Sequence, residues 1–340
     1  MPRATDRLDF LNRAGWAEAA AGPLAGDASS RRYERLRHAA LGAAVLMDAP
    51  PGSGEDIRPF IRIADFLLEA GLSAPRLIAR DPEHGFLLLE DLGDGIFARL
   101  AQADPAQEQP LYEAAVDTLL ALHRHSPPGG LPPLGPPEMA RAVDVALTWY
   151  APGAGCPAGA AALPELETLV HRRLTALPPA PRVLALRDFH AENLLWLPER
   201  AGAARVGLLD FQDAFAGHPV YDLISLLEDA RRDVSAATRA AAFARFVTGS
   251  GADAEDMSLA AATLGAQRNL RLLGVFARLC MHFAKPHYVD LIPRVWGHLR
   301  HDLAHPALAD LAQFTRETLP EPTPARLALI KEKCGTCPMP

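Results

Sequence analysis

Apolar residues recur at helical spacing over residues 7–22, through Leu8, Leu11, Trp16 and Ala19, and this period predicts a first helix. From 24 to 50 the period changes. Gly26-Asp27-Ala28-Ser29-Ser30 carries turn chemistry and leads into an alternating segment, and the apolar run 40–48 has the look of a buried strand. Proline and glycine at 51–56 mark a turn and a helix start. Helical spacing returns over 56–70 through Ile57, Phe60, Ile61, Ala64, Leu67 and Leu68. Segments 74–79 and 85–90 then read as two more strands, so residues 1–93 run as strands, one helix and strands again.

Glu90-Asp91-Leu92-Gly93 breaks this pattern, and beyond it helices dominate. They are predicted at 108–125, 159–177, 220–232, 236–248, 256–284, 288–303 and 305–318, with Pro/Gly-rich loops at 127–138 and 151–158. One stretch is not helical. Residues 182–214 hold three brief apolar runs with polar tips, the pattern of strands or a hairpin carrying loops. The tail from Pro320 reads as one short helix and a loose end.

Composition narrows the choices. At roughly 100–200 residues per domain, 340 residues suit two domains or two closely joined lobes. Hydrophobic residues make up 49% and charged residues 22%, enough for a large core without disulfide help. The 31 prolines and 25 glycines belong in the loops between helices. A net charge of −7 argues against a general nucleic-acid surface. No apolar run reaches about 18 residues, and the first residues mix Asp and Arg without an apolar core, so neither a membrane span nor a secretory signal is expected. Cys156, Cys280, Cys334 and Cys337 are too scattered for a disulfide framework, and the expectation is a cytoplasmic protein with no obligate protein partner.

The candidate chemistry sits in Asp188-Phe189-His190-Ala191-Glu192-Asn193, followed by the apolar run Leu194-Leu195-Trp196. Asp210 comes 17 residues after Asn193, at the end of Val206-Gly207-Leu208-Leu209. Magnesium takes hard oxygen ligands, and one carboxylate with one amide carbonyl suits it when phosphate and water complete the shell. A second carboxylate is needed to orient an attacking hydroxyl and accept its proton. Two apolar runs framing Asp188, Asn193 and Asp210 put all three at strand ends, the arrangement that phosphoryl transfer requires.

These segments resemble the catalytic and metal loops of the aminoglycoside phosphotransferase and choline kinase group. That group reads H-x-D-x-x-x-x-N and then an apolar run ending D-[FW]. Here the matching stretches are Leu186-Arg187-Asp188 through Asn193 and Leu208-Leu209-Asp210-Phe211, with Gly217-His218-Pro219-Val220-Tyr221-Asp222-Leu223 as a third ordered match. The resemblance implies an α+β, protein-kinase-like fold of two lobes. Residues 1–93 would form a small strand-rich, nucleotide-binding N-lobe and 94–340 a large mainly helical C-lobe with the catalytic and metal loops and the substrate site. It further implies ATP and Mg²⁺, with Asp188 as catalytic residue and Asn193 and Asp210 on the metal. Within this family the wording around 186–234, with VLMDAPP and QRNLRLLGVFARL, is similar to the bacterial anomeric sugar kinases. Those enzymes phosphorylate N-acetylmuramate and N-acetylglucosamine at the 1-hydroxyl in peptidoglycan recycling, which makes a small sugar the expected partner.

One departure stands out. The family places a lysine on its third strand to hold the α- and β-phosphates, whereas here Met47 lies near that place and no lysine precedes Lys285. Arginine or backbone amides must substitute. Arg31 and Arg32 follow Ser29-Ser30, and Arg58 and Arg62 lie one turn apart on the first-lobe helix; Arg32 and Arg62 are the candidates chosen. Ser29 and Ser30 would cover the phosphates with backbone N–H groups, and the backbone of Glu90 and Leu92 would meet the adenine edge. On the substrate side stand Asp188, His190, Glu192, Asp213 and Arg268, the last with a buried structural role as alternative. Cys334-Gly335-Thr336-Cys337 has metal-site spacing without a second pair and reads as an exposed tail. Two alternatives remain open: a phosphotransferase for an aminoglycoside or other small alcohol, and a nucleotide-binding pseudokinase scaffold.

Overall fold

The chain enters through α1 (Pro2–Arg13) in a computed structural model that describes residues 2–24 and 31–338. The predicted first helix stops early. Gly15 takes φ +76° and the Trp16 N–H bonds back to the Leu11 carbonyl at 2.8 Å, the closing bond of a glycine-terminated helix. Trp16 thereby leaves the helix face, and residues 20–22, expected as helix, belong to β1 (Ala20–Leu24). Then come β2 (Arg32–His38), β3 (Gly42–Asp48), α2 (Arg58–Glu69), β4 (Leu77–Asp81) and β5 (Phe86–Glu90). They form one antiparallel sheet in the order β1-β2-β3-β5-β4. Side chains alternate across a strand, so Ala44 and Leu46 of β3 join Phe10, Leu11, Trp16, Leu36, Phe86 and Leu88 in one buried cluster, with Phe10 stacked on Phe86 at 5.5 Å. Met47 points to the other face and is fully buried as well.

Two helices, α3 (Phe97–Ala103) and α4 (Glu108–Leu122), follow; α3 was not predicted. Next are α5 (Pro136–Arg141), a π-helical turn at Ala146–Tyr150, α6 (Ala151–Gly153), α7 (Ala162–Thr175) and β6 (Val183–Ala185). The island expected at 182–214 does hold strands: β7 (Leu194–Trp196) pairs with β8 (Val206–Leu208), and β9 (Phe215–Gly217) pairs with β6. The rest is helical: α8 (Tyr221–Leu227), α9 (Ala236–Ser250), α10 (Ala254–Met281), α11 (Ile292–Asp302), α12 (Ala309–Thr318) and α13 (Pro324–Glu332). Helix α8 is shorter than predicted because the Asp229 carboxylate accepts from the Arg231 N–H at 2.8 Å, a turn that competes with the next helical bond.

Packing divides the chain into two compact units, residues 1–128 with 186–214 and residues 129–185 with 215–340. In the first, the segment 186–214 is fastened to the sheet-bearing part by backbone and side chains. Leu208 N–H bonds the Ser73 carbonyl at 2.8 Å, Trp196 N–H the Gly95 carbonyl at 2.7 Å, and the Thr118 hydroxyl the Ala203 carbonyl at 3.1 Å. In the second, α10 carries more buried residues than any other helix. A Cβ on Gly274 would lie 2.1 Å from the Val145 carbonyl, so only glycine lets the 145–146 backbone approach that helix.

The tail is not loose. The last carbonyls of α10 have no partner within the helix. Gly335 N–H bonds Cys280 O and Cys337 N–H bonds Met281 O, both at 3.0 Å, which folds Cys334 and Cys337 over that helix end, half-buried rather than exposed. Burial and the adjoining Cys334 push the Cys280 thiol up to about 12.

Candidate active site

The loop between β6 and β7 is held in a tight, costly shape. Asp188 N–H bonds the Leu186 carbonyl at 3.0 Å across Arg187, whose φ is +75°, a γ-turn of the rare, strained hand. Asp210 also sits in the left-handed region, at φ +57°. Two of the three non-glycine residues with positive φ among the described residues thus flank or form the site, where strain of this kind tends to collect.

Asn193 organises the loop. Its Nδ2 donates to the Asp188 carbonyl at 2.9 Å and approaches Asp210 Oδ2 at 3.4 Å, while Asn193 N–H bonds the His190 carbonyl at 2.8 Å. Leu209 N–H bonds the Asn193 carbonyl at 3.0 Å, so the β7–β8 pairing delivers Asp210 beside Asn193. Gln212 Nε2 donates to Asp210 Oδ1 at 2.8 Å. The His190 ring is buried, its Nε2 3.4 Å from Asn193 Nδ2, and it underlies the loop instead of facing solvent. Glu192 and Asp213 are exposed on the same unit. Arg268 belongs to the helical unit, where it is buried and donates to Ser225 Oγ at 3.1 Å and to the Glu228 carbonyl at 3.4 Å.

On the sheet, Glu90 N–H bonds the Arg76 carbonyl at 2.8 Å, and the Glu90 carboxylate pairs with Arg200 at 2.7 Å. Leu92 N–H makes no hydrogen bond among the described residues. Arg35 ties the segment after β5 to β2, with Nε 2.8 Å from Asp91 and Nη1 2.9 Å from Asp94. Arg32 is exposed at the head of β2 and Arg62 is half-buried on α2. Ser29 and Ser30 lie outside the described residues.

Among the described residues no group of three or more His, Cys, Asp or Glu could hold a metal ion. The Asn193/Asp210 pair fits a lighter site. The Asn193 nitrogen is committed to the Asp188 carbonyl, which leaves the amide oxygen as the atom that could ligate a cation together with the Asp210 carboxylate. Magnesium binds in this way, through few protein oxygens plus phosphate and water.

In the helical unit the third motif builds the start of α8. The His218 ring Nδ1 accepts from Val220 N–H at 3.2 Å, and burial pushes this imidazole down to about 4, so it is a neutral acceptor. Asp222 is buried in the first turn of α8, where a carboxylate favours the helix dipole.

A strand-rich N-terminal sheet followed by a mainly helical remainder, with an Asp–Asn–Asp loop pair, defines a protein-kinase-like phosphotransferase. Solved structures share this fold. A choline/ethanolamine kinase family protein from Mesorhizobium loti superposes with a TM-score of 0.60 at 15% identity, covering 97% of this chain and 99% of that one. An aminoglycoside phosphotransferase from Streptomyces rimosus, in complex with ADP and streptomycin, gives 0.52 at 21% identity over 78% and 98%. The chain belongs to the phosphotransferase enzyme family, which matches residues 21–257. Among its relatives, a Caulobacter vibrioides protein named N-acetylmuramate/N-acetylglucosamine kinase is 38% identical over 94% of this chain and 98% of its own length. A Pseudomonas aeruginosa protein of the same name is 33% identical over 88% and 90%. No helix among the described residues is long and apolar enough to cross a membrane.

Proposed function

We propose that this chain transfers the γ-phosphoryl group of ATP to the anomeric hydroxyl of N-acetylmuramate and N-acetylglucosamine, a step of peptidoglycan recycling. The observation that carries a phosphoryl-transfer reading is the Asn193 side chain, which bonds the Asp188 backbone and meets Asp210, so that one amide holds base and metal ligand together. The sugar follows from the relatives that share most of the chain's length.

In this reading the Asp188 carboxylate orients the sugar hydroxyl and takes its proton as the oxygen bonds to the γ-phosphorus and ADP departs. The transition state is loose, so positioning and charge neutralisation supply most of the rate. The anomeric hydroxyl is the most acidic on the ring and asks little basicity of Asp188. Asn193 Oδ1 and the Asp210 carboxylate would hold Mg²⁺, which neutralises phosphate charge when bound. Glu90 and Leu92 offer backbone to the adenine edge. His190, buried under Asn193, positions the loop and does not touch the sugar. Glu192 and Asp213 are left as the exposed polar groups for the sugar, and Arg268 braces α10 against the Ser225–Glu228 turn. ATP as donor puts the reaction in the cytoplasm.

Either sugar incubated with enzyme and Mg-ATP should lose its reducing-sugar signal in step with ADP release, and mild acid should restore it. ADP release with a constant reducing signal sends the phosphate to another hydroxyl or to water. ADP release with an aminoglycoside and with neither sugar makes the chain an antibiotic kinase instead.

A further inference from the structure

The sheet-bearing unit carries no lysine, since none precedes Lys285, yet a nucleoside triphosphate needs a cation besides its magnesium. Three observations single out one arginine. Arg31 Nε donates to Glu55 Oε2 at 2.8 Å, with only 10% and 18% of the two side chains exposed. The Arg31 guanidinium also donates to the hydroxyl of half-buried Tyr33, and Tyr33 feels the charge of Asp210. Phe60, at the start of α2 and five residues past Glu55, stacks on Phe211 at 4.8 Å, next to Asp210. Strand and helix therefore reach the Asp210 side of this unit independently, and both bring the Arg31–Glu55 pair with them.

The two arginines favoured by the sequence face elsewhere. Side chains alternate along extended backbone, so Arg32 points away from Arg31 and Tyr33; it is exposed and in register with Asp48. Arg62 lies two residues past Phe60, about 200° round the helix, away from the face that meets Phe211. Tyr33 stands in register with Met47, so β2 carries the residue bonded to Arg31 alongside the strand position where the family carries its lysine.

We propose that Arg31, anchored by Glu55 and Tyr33, grips the phosphates of the bound nucleotide. The inference rests on the phosphotransferase reading and names the residue that serves it. A guanidinium has five N–H donors in a planar fork, so it serves Glu55 and Tyr33 and still has capacity for a phosphate oxygen. Glu55 has a positioning role: it fixes the long Arg31 side chain before nucleotide arrives, which lowers the ordering cost of binding.

Calorimetric titration of the full-length protein with ATP, ADP and adenosine, in Mg²⁺, tests this. Arg31→Ala should weaken ATP and ADP by about 10–150-fold, the range of one charge-assisted hydrogen bond, and leave adenosine unchanged. Arg31→Lys should recover part of the loss, Glu55→Gln should weaken ADP by several-fold, and Arg32→Ala should match wild type. Should Arg31→Ala melt below the assay temperature, Arg31→Gln takes its place, with the ADP-to-adenosine affinity ratio as readout. An unchanged ratio in a folded Arg31 variant overturns the proposal while leaving the kinase reading intact. Wild-type protein that binds no nucleotide overturns both.

Discussion

The Asn193 amide nitrogen donates to the main-chain carbonyl of Asp188 at 2.9 Å, so the residue expected to ligate metal also holds the backbone of the expected base. This double duty separates two substitutions that a list of ligands would treat alike.

Asn193→Asp keeps an oxygen for the cation and adds charge, yet it puts a carboxylate oxygen against the Asp188 carbonyl where a donor stood. Turnover should fall at least tenfold while the Mg²⁺ concentration for half-activity does not rise. Asp188→Asn should lower turnover by about 10²–10⁴ with nucleotide affinity little changed. Wild-type turnover in Asn193→Asp would mean that the amide has no positioning role.

The Phe60–Phe211 stack joins α2 to the residue after Asp210, with both rings buried. Each alanine substitution should cost about 3–5 kcal/mol in urea unfolding. The double mutant should fall short of additivity by about 0.5–1.5 kcal/mol, the worth of an aromatic pair. Glu55 lies five residues before Phe60, so if the proposed nucleotide site is right, Phe60→Leu should raise the KM for ATP more than the KM for sugar. Equal changes in both constants would disconnect the stack from the nucleotide.

Glu228 and Asp302 form a buried acid pair in the helical unit, each bonded to Asn269, at 2.7 and 2.9 Å. Burial pushes both carboxyls up; Glu228 raises Asp302 further, while the bond from Asp302, with Arg268 and Arg239, opposes the rise at Glu228 and Arg239 opposes it at Asp302. Above the ordinary carboxylate range the folded state then holds more protons than the unfolded chain, so this contribution to stability is full at low pH and is lost as pH rises toward the raised values. His298, pushed down to about 4 by burial, acts in the opposite sense and only on the acid side. Asp302→Asn, with an amide that donates to Glu228 as the shared proton does, should flatten the fall in unfolding free energy above the ordinary carboxylate range. An unaltered slope would place the proton elsewhere.

The residues proposed to carry the chemistry stand out in the sequence because phosphoryl transfer constrains local spacing. Asp188 to Asn193 is a single loop, and Asp210 ends an apolar run whose strand period is visible without any partner. Strands β2 to β5 and the long helices were readable for the same reason, as periods of two and 3.6 are local, whereas β1 was hidden in an expected helix. Tertiary structure decided the rest. Trp16 fits a helical period equally well; Gly15 ends α1 before it, and the ring then joins Leu36 and Phe86 in the cluster beneath the sheet. Arg31, Arg32 and Arg62 look alike as basic residues near a turn or on a helix; the face each presents depends on the β2–β3 register and on Phe60 meeting Phe211, a pairing more than 100 residues apart. The CxxC tail is settled by donors that the end of α10 requires, over 50 residues upstream. A side chain's type is written in the chain, but its partner is selected by long-range contacts whose free energy exists only once the units have folded.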